Sequence, residues 1–228
     1  MRRPGGPRLF VLLGSPVEHS LSPVVHRAAL AAMGEDAVYA AVPTEADEVA
    51  AVMRAVSRSG GGNVTLPHKE RATRALDRRT SAVEATGACN CFWREDDSLV
   101  GDNTDVEGFL EAVAEVLPGA DARRGLRGTR VLVLGAGGGA RAVVHAVERA
   151  GAARVEVLNR TLSRAEEMVE AVAAGSDAVR VLAGRREVEG PYDLVVNATS
   201  LGLDPDDPLP LDLTDVEAAA VFDLVYGR

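Results

Sequence analysis

Lysine, cysteine and aromatic residues are scarce in this 228-residue chain. Lys69 is the only lysine among 25 basic residues, and aromatic residues make up 4% of the sequence. The two cysteines, Cys89 and Cys91, are separated by one residue, which is the spacing of neither a zinc site nor a disulfide framework. Such sparing use of cysteine indicates a reducing compartment, so we expect a cytoplasmic protein with no metal site.

Clusters of basic residues and long apolar runs are also missing. The net charge is -9 and the sequence pI is about 5.0, so the chain lacks the positive surface that a nucleic-acid partner requires. No apolar run reaches the roughly 18 residues of a membrane-spanning helix, and the run over residues 9–13 is too short for a signal peptide. We therefore expect a small-molecule partner, no nucleic acid and no membrane, whereas the oligomeric state cannot be read from the sequence.

The hydrophobic residues that are present, 46% of the chain, alternate between strand-like and helix-like patterns. This alternation predicts an α/β fold with a largely parallel sheet. The predicted strands cover residues 9–13, 38–42, 63–66, 89–94, 98–101, 130–134, 154–158, 179–182, 194–196 and 221–225. The predicted helices cover residues 23–33, 45–56, 69–79, 106–117, 140–150 and 163–174. A polar stretch rich in glycine and arginine over residues 119–128 predicts a boundary between domains at residues 1–118 and 119–228.

A glycine-rich turn, GAGGGA at residues 135–140, separates a predicted strand from a predicted helix. Gly135 and Gly137 permit a tight turn and the close approach of a pyrophosphate to the helix N-terminus, and Ala140 still allows helix and strand to pack closely. A purely structural turn is the alternative. In this context we predict a Rossmann-like dinucleotide-binding domain.

The end of the next predicted strand carries Arg160 and Arg164, where NAD-binding units often place an acidic residue. Guanidinium groups attract the 2′-phosphate of NADP through charge-assisted hydrogen bonds, so NADP is favoured over NAD. The alternative is that residues 163–166 form a capping box and only begin a helix. Further along, NATS at residues 197–200 either lines the cofactor or simply turns the chain.

In the first half, NVTLPHK at residues 63–69 leads from a strand to a helix start. A lysine in the first turn of a helix is electrostatically disfavoured, which indicates a functional role for Lys69. Lysine can release a proton in a workable pH range, whereas arginine cannot. The competing interpretation is a solvated surface charge.

Two more polar clusters accompany Lys69. In GDNTD at residues 101–105, Asp105 is either a helix N-cap or the partner that orients the Lys69 ammonium for acid–base catalysis. In HSLSP at residues 19–23, Ser22 has the position of an N-cap before Pro23. Ser20 has no capping role, and the two hydroxyls could together bind a carboxylate or a polyol.

Taken together, these segments resemble the shikimate dehydrogenase family. The matching segments are GSP at 14–16, HSLSP at 19–23, NVTLPHK at 63–69, GACN at 87–90, GDNTD at 101–105, GAGG at 135–138, NRT at 159–161 and NATS at 197–200. Their order and spacing agree from residue 9 to residue 226. The resemblance implies an N-terminal α/β substrate-binding domain followed by a Rossmann-like NADP-binding domain.

The resemblance also implies a function, which is the reduction of 3-dehydroshikimate to shikimate by NADPH in aromatic amino-acid biosynthesis. Lys69 and Asp105 are implied to handle the proton while the nicotinamide exchanges a hydride with the substrate. The implied substrate-binding residues are Ser20, Ser22, Thr65, Asn90, Asp105 and Tyr226. The implied cofactor-binding residues are Gly135, Ala136, Gly137, Gly138, Gly139, Asn159, Arg160, Thr161, Arg164, Thr199 and Leu224.

The sequence departs from the family pattern at a few places. Cys91 follows Asn90 where the family usually has a small hydroxyl residue, and Val106 replaces a common glycine. The chain stops at Arg228, so we expect a C-terminally truncated member in which the family's C-terminal return helices are missing. Two alternatives stay open: a quinate/shikimate dehydrogenase of broader cofactor use, and an NADP-binding fragment without turnover.

Overall fold

The computed structural model describes residues 6–117, 126–204, 206–212, 214 and 216–225. These residues form two compact units. The first unit holds the described residues up to Glu84 together with Ala88–Asn103, and the second holds Ala85–Gly87 and the described residues from Thr104 onward. None of the helices in the described part is long and apolar enough to cross a membrane.

The first unit is built on a six-stranded mixed sheet with the strand order β2-β1-β3-β5-β6-β4. Its strands are β1 (Arg8–Gly14), β2 (Ala37–Pro43), β3 (Gly61–Val64), β4 (Arg78–Arg79), β5 (Cys91–Glu95) and β6 (Ser98–Asp102). Its helices are α1 (Ser22–Ala32), α2 (Val49–Val56), α3 (Lys69–Ala72) and most of α4 (Ser81–Thr86). Strand β1 runs parallel to β2 and β3, whereas β5 is antiparallel to both β3 and β6.

Strand β3 lies very close to its neighbours because it begins with consecutive glycines. A Cβ atom at Gly61 would lie 2.4 Å from the carbonyl oxygen of Phe92, and one at Gly62 would lie 2.3 Å from the carbonyl oxygen of Val11. Real Cβ atoms do not approach backbone this closely, so only glycine fits at these two positions.

The predicted helix over residues 69–79 is wrong beyond its first turn. Helix α3 ends at Ala72, and after a short 3₁₀ turn the chain extends into β4. Asp77 explains the change, because its backbone N–H donates to the Leu99 carbonyl at 2.9 Å and its carboxylate accepts from the Leu99 N–H at 2.8 Å. Hydrogen bonds from Arg54 and from that N–H hold the pKa of Asp77 at about 2. These long-range contacts hold the chain against β6 and end the helix early.

The second unit contains a five-stranded parallel sheet with the order β11-β10-β7-β8-β9. Its strands are β7 (Arg130–Leu134), β8 (Arg154–Leu158), β9 (Val179–Leu182), β10 (Tyr192–Asn197) and β11 (Ala218–Asp223). Its helices are α5 (Asp105–Val116), α6 (Gly138–Arg149) and α7 (Leu162–Ala173). Strands β7, β8 and β9 coincide with the predicted residue ranges, since strands buried on both faces read as continuous apolar runs.

Helix α5 belongs to the second unit, although the predicted boundary at 118/119 places it in the first domain. The reason is its apolar face, on which Val106, Phe109 and Val113 are buried. Phe109 meets Phe222 of β11 edge to face with ring centroids 5.3 Å apart. Residues 118–125, which include most of the predicted boundary stretch, lie outside the described residues.

A fully buried carboxylate, Glu156, connects the strands of the second sheet. It accepts hydrogen bonds from the Tyr192 hydroxyl of β10 and from Arg180 Nε of β9 at 2.7 Å, and it forms an ion pair with Arg154 Nε at 2.8 Å. Burial alone would raise the pKa of Glu156, but these hydrogen bonds and charges outweigh it and lower the pKa. The carboxylate is therefore ionised and fully hydrogen-bonded inside the sheet, as a buried charge must be.

Candidate active site

Lys69 follows the carboxyl end of β3, at the start of α3. After β3 the Thr65 N–H donates to the Leu13 carbonyl at 2.8 Å, and the His68 N–H donates to the Thr65 carbonyl at 2.9 Å. The His68 ring is buried, with Nε2 2.7 Å from the Thr44 carbonyl, so this histidine has a structural role. Lys69 is half-buried and is the first residue of α3, which confirms the predicted helix start.

Asn90 lies at the same edge of the sheet as Lys69, because β5 runs antiparallel to β3 and Asn90 comes just before it. Its N–H donates to the Asp102 carbonyl at 3.0 Å, and its own carbonyl accepts from the Val64 N–H at 2.9 Å. The preceding residue, Cys89, donates its N–H to the Lys69 carbonyl at 2.8 Å. The structure therefore brings the only lysine and Asn90 together in the first unit.

Ser20 and Ser22 lie where β1 connects to α1, and both are half-buried. The predicted N-cap role of Ser22 is wrong: Leu21 occupies that position, no side chain caps the helix, and Ser22 is the first helical residue. The reason is local, because the Ser22 N–H and Ser22 Oγ both lie 3.2 Å from Ser20 Oγ. The two hydroxyls are thus paired with each other at the start of α1.

Asp105 is the first residue of α5 in the second unit. The N-cap position belongs to Thr104, and no side chain caps this helix, so the interpretation of Asp105 as an N-cap is wrong. The cap prediction missed by one residue because Thr104 already has a helical backbone (φ -75°, ψ -8°). Asp102, at the end of β6, has its carboxylate engaged by the Thr80 hydroxyl at 2.5 Å and by the Asn103 N–H at 2.8 Å.

The glycine-rich turn follows β7 at the carboxyl edge of the second sheet. Gly135 has a φ of +112°, and a Cβ there would lie 2.8 Å from the Ala198 carbonyl oxygen, so both conformation and space require glycine. Gly137 is the N-cap of α6, and a Cβ there would meet nothing within 4 Å. The N-terminal turn of α6 thus faces open space on this side, which is the arrangement a pyrophosphate requires.

Asn197 organises the neighbouring turn. Its Oδ1 accepts from the Thr199 hydroxyl at 2.7 Å and from the Thr199 N–H at 3.1 Å, and its Nδ2 donates to Asp223 at 3.0 Å. Leu224 donates its N–H to the Asn197 carbonyl at 3.0 Å and lies against Gly139 of the glycine-rich turn. The structure therefore brings Thr199, Leu224 and the glycine-rich turn together at one edge of the sheet.

Arg160 and Arg164 follow β8 at that same edge, and both side chains are exposed. The capping-box interpretation of residues 163–166 is wrong, because α7 begins at Leu162 with Thr161 as N-cap and no side chain caps it. Asn159 instead donates Nδ2 to the Thr161 carbonyl at 2.8 Å, which folds the turn between strand and helix. The two guanidiniums are thus not used to begin the helix.

These features fit an NADP-type dinucleotide. The edge of the sheet combines an open glycine-rich turn, the N-terminus of a 12-residue helix and two exposed guanidiniums beyond the next strand. Among the described residues, no group of three or more His, Cys, Asp or Glu side chains is placed to hold a metal ion. Tyr226, the remaining residue of the predicted site, lies outside the described residues.

The two cysteines beside Asn90 are predicted to be chemically inert in the folded protein. Burial raises the pKa of Cys89 to about 12, and burial together with the charge of Asp102 raises the pKa of Cys91 to about 11. At about pH 8 we expect both thiols to react with an aromatic disulfide reagent at least about 100-fold more slowly than ordinary thiols, because the thiolate fraction falls about tenfold with each unit of pKa.

The measurement compares native protein with protein in guanidinium chloride, where both thiols should react at once. Because both pKa values are raised, the neutral thiols favour the folded state below the ordinary value of 9.0, and this contribution is lost as the pH rises towards 11 and 12. Rapid reaction of one thiol in native protein would contradict the prediction.

Comparisons with known proteins agree on one family. The family model described as the shikimate dehydrogenase substrate binding domain matches residues 12–92, and the model described as shikimate / quinate 5-dehydrogenase matches residues 120–202. The chain is 40% identical to the shikimate dehydrogenase (NADP(+)) of Geobacter metallireducens over 98% of this chain and 79% of that protein. The chain belongs to the shikimate dehydrogenase family.

Solved structures of family members share the fold. The shikimate dehydrogenase of Aquifex aeolicus superposes with a TM-score of 0.84 at 31% identity, over 97% of this chain and 80% of that one. The shikimate 5-dehydrogenase of Thermus thermophilus, solved in complex with NADP(H) and shikimate, superposes with a TM-score of 0.80 at 38% identity, over 96% of this chain and 78% of that one.

The matched ranges contain most of the predicted site. The first model covers Ser20, Ser22, Thr65, Lys69 and Asn90, and the second covers the glycine-rich turn, residues 159–164 and Thr199. Asp105 and Leu224 lie outside both ranges. Asn63 and Tyr39 were not among the predicted binding residues, although Asn63 lies within NVTLPHK and is half-buried at the end of β3.

Proposed function

We propose that the protein catalyses the NADPH-dependent reduction of 3-dehydroshikimate to shikimate, and the reverse reaction, in cytoplasmic aromatic amino-acid biosynthesis. One observation carries the proposal. The only lysine is half-buried at the head of α3, and its carbonyl accepts the N–H of the residue that precedes Asn90, so a proton carrier and a polar substrate contact share one edge of the sheet. Membership of the family supplies the substrate class.

The first unit supplies most of the side chains for the substrate. The paired hydroxyls of Ser20 and Ser22 bind the carboxylate, because two adjacent O–H donors at a helix start match its two oxygens. Thr65 and Asn90 bind ring hydroxyls from the edge of the sheet. Asp105 accepts from a further hydroxyl, and Tyr226 completes the substrate contacts.

The chemistry requires one proton and one hydride for each carbonyl reduced. A bound nicotinamide supplies the hydride. The Lys69 ammonium donates a hydrogen bond to the carbonyl oxygen, stabilises the negative charge that develops there and transfers its proton to give the alcohol. Asp105 orients the ammonium. In the oxidative direction, neutral Lys69 removes the hydroxyl proton.

The second unit supplies the side chains for the cofactor. Backbone groups of Gly135, Ala136, Gly137, Gly138 and Gly139 accommodate the pyrophosphate at the N-terminus of α6. Asn159, Arg160, Thr161 and Arg164 would hold the 2′-phosphate, which would favour NADP over NAD. Thr199 and Leu224 line the nicotinamide side. The first unit therefore serves mainly the substrate and the second unit mainly the cofactor, with α5 in the second unit.

The proposal is tested by following NADP reduction in the presence of shikimate. We expect activity with shikimate and NADP, lower activity with quinate and lower activity with NAD. Comparable rates with quinate or NAD would favour the quinate/shikimate dehydrogenase of broader use. Calorimetric binding of NADP without turnover at high protein concentration would favour the NADP-binding fragment. Folded protein that neither binds NADP nor oxidises shikimate contradicts the proposal.

A further inference from the structure

A buried tyrosine outside the matching motifs contacts the segment that leads to Lys69. Tyr39 lies in β2 with 2% of its surface exposed, and its hydroxyl donates to Asn63 Oδ1 at 2.8 Å. A buried tyrosine hydroxyl needs a hydrogen-bond partner, and here the partner is the first residue of NVTLPHK. The contact joins the second strand of the unit to the strand that leads to Lys69.

Asn63 in turn forms a hydrogen bond with Asn90. Asn63 Nδ2 donates to the Asn90 carbonyl at 3.3 Å, and the same carbonyl accepts from the Val64 N–H at 2.9 Å. The Asn90 carbonyl, which can only accept, fixes the orientation of the Asn63 amide, and the Tyr39 hydroxyl donates to the amide oxygen on the other side. If the amide were reversed, its oxygen would face the Asn90 carbonyl oxygen, and two acceptors cannot share a hydrogen bond.

The same tyrosine also supports the helix that begins at Ser22. The His26 ring of α1 stacks on the Tyr39 ring with centroids 4.4 Å apart and an interplanar angle of 1°. Arg27 Nε donates to the Tyr39 carbonyl at 2.8 Å. No residue of α1 is fully buried, and Leu30 packs partly against Leu12, Val17 and Tyr39, so the contacts of His26 and Arg27 add to that packing.

We propose that Tyr39 is a positioning residue for substrate binding. Its ring supports α1, whose first residue is Ser22, and its hydroxyl anchors the Asn63 side chain, which in turn holds the Asn90 backbone in place. The inference rests on the proposed function, since it assigns Tyr39 an effect on the binding of that substrate. Tyr39 itself has no part in proton or hydride transfer.

The first test is Tyr39→Phe, which removes the hydroxyl and keeps the stacked ring. We expect the KM for shikimate to rise about threefold to tenfold, the range for losing one hydrogen bond, because Asn63 and Asn90 are less well held. The kcat and the KM for NADP should change by less than about twofold, since neither proton transfer nor the cofactor site is altered. An unchanged KM for shikimate overturns the proposal.

Tyr192→Phe is the matched control. Tyr192 is the other fully buried tyrosine among the described residues, and its hydroxyl donates to Glu156 in the second unit. This variant should lose thermal stability, because Glu156 loses a donor, and keep the KM for shikimate of the unmodified protein. An equal rise in KM for shikimate in both variants would mean that Tyr39 acts only through general stability, which also overturns the proposal.

A double-mutant cycle with Asn63→Ala tests the route of the effect. If Tyr39 acts through Asn63, Tyr39→Phe adds little to the KM change that Asn63→Ala already causes. If the two changes multiply, Tyr39 acts independently and the proposal fails. The proposed function fails separately, when the unmodified protein neither turns over nor binds shikimate, and the inference then falls with it.

Discussion

Replacing Lys69 with alanine is expected to lower kcat for shikimate oxidation by about 10²–10⁴-fold, the range for losing a general acid–base group. Lys69 is the first residue of α3 and the only lysine in the chain. No second lysine can therefore take over the proton. The KM for NADP should change little, because the cofactor residues belong to the second unit. Steady-state kinetics with both substrates measure the effect.

Two further variants separate proton transfer from charge. Lys69→Arg keeps a cation at this position but cannot release its proton, so we expect kcat to stay within about tenfold of the alanine variant. Arg71→Ala removes an exposed cation from the same helix and should leave kcat unchanged. A normal kcat in Lys69→Ala would remove Lys69 from the mechanism, and full activity in Lys69→Arg would reduce its role to electrostatics.

Replacing Arg160 with glutamate should change cofactor preference. Charge-assisted hydrogen bonds are about twice as strong as neutral ones, and a carboxylate would repel the 2′-phosphate, so we expect the KM for NADP to rise by about 100-fold or more. The KM for NAD should stay within about threefold, because NAD has no 2′-phosphate. Arg160 is exposed and takes no part in beginning α7, so the change should not unfold the domain.

The control for Arg160 is the same charge reversal at Arg58, an exposed arginine of the first unit. Arg58→Glu should leave both KM values unchanged. The advantage of NADP over NAD in the unmodified protein should shrink as the ionic strength rises, because salt screens exposed charges. Equal losses of NADP and NAD affinity in Arg160→Glu would mean that Arg160 serves the fold of the turn and does not recognise the phosphate.

The second sheet could be predicted almost completely from the sequence. The runs that form β7, β8 and β9 are short, rich in valine and leucine and bounded by glycine or polar residues, which is typical of strands in a parallel sheet. The glycine-rich turn was predicted for the same reason, since its conformation depends on residues that are adjacent in the chain. Local patterns therefore determine most of this unit.

The first unit was harder to predict because its decisive contacts are distant in sequence. The segment that became β4 has a helical pattern, and only the pairing of Asp77 with Leu99, 22 residues away, shows that it is extended. The antiparallel position of β5 is likewise a property of the sheet and not of the strand itself. Helix starts were misplaced by one residue at Ser22 and Asp105, where the expected caps lie just inside the helix.

The candidate site divides in the same way. Residues within short motifs, such as Lys69 and Thr199, can be proposed from the sequence because their neighbours in sequence indicate a role. Tyr39 was missed because its partner, Asn63, is 24 residues away and no spacing rule connects them. The available signal was a tyrosine within an otherwise apolar strand, since its hydroxyl must meet a polar group once it is buried.

The glycines of β3 have a consequence for how new specificity could be engineered in this protein. A Cβ atom at Gly62 would lie 2.3 Å, and one at Gly61 2.4 Å, from a carbonyl oxygen of a flanking strand. These two positions therefore cannot carry larger residues, and the strand cannot shift sideways to enlarge a binding site. Libraries that vary this strand would consist largely of unfolded proteins. Variation is better directed at the residues after the strand, from Thr65 onward, and at Ser20 and Ser22 where α1 begins, where side chains can change while the backbone stays in place.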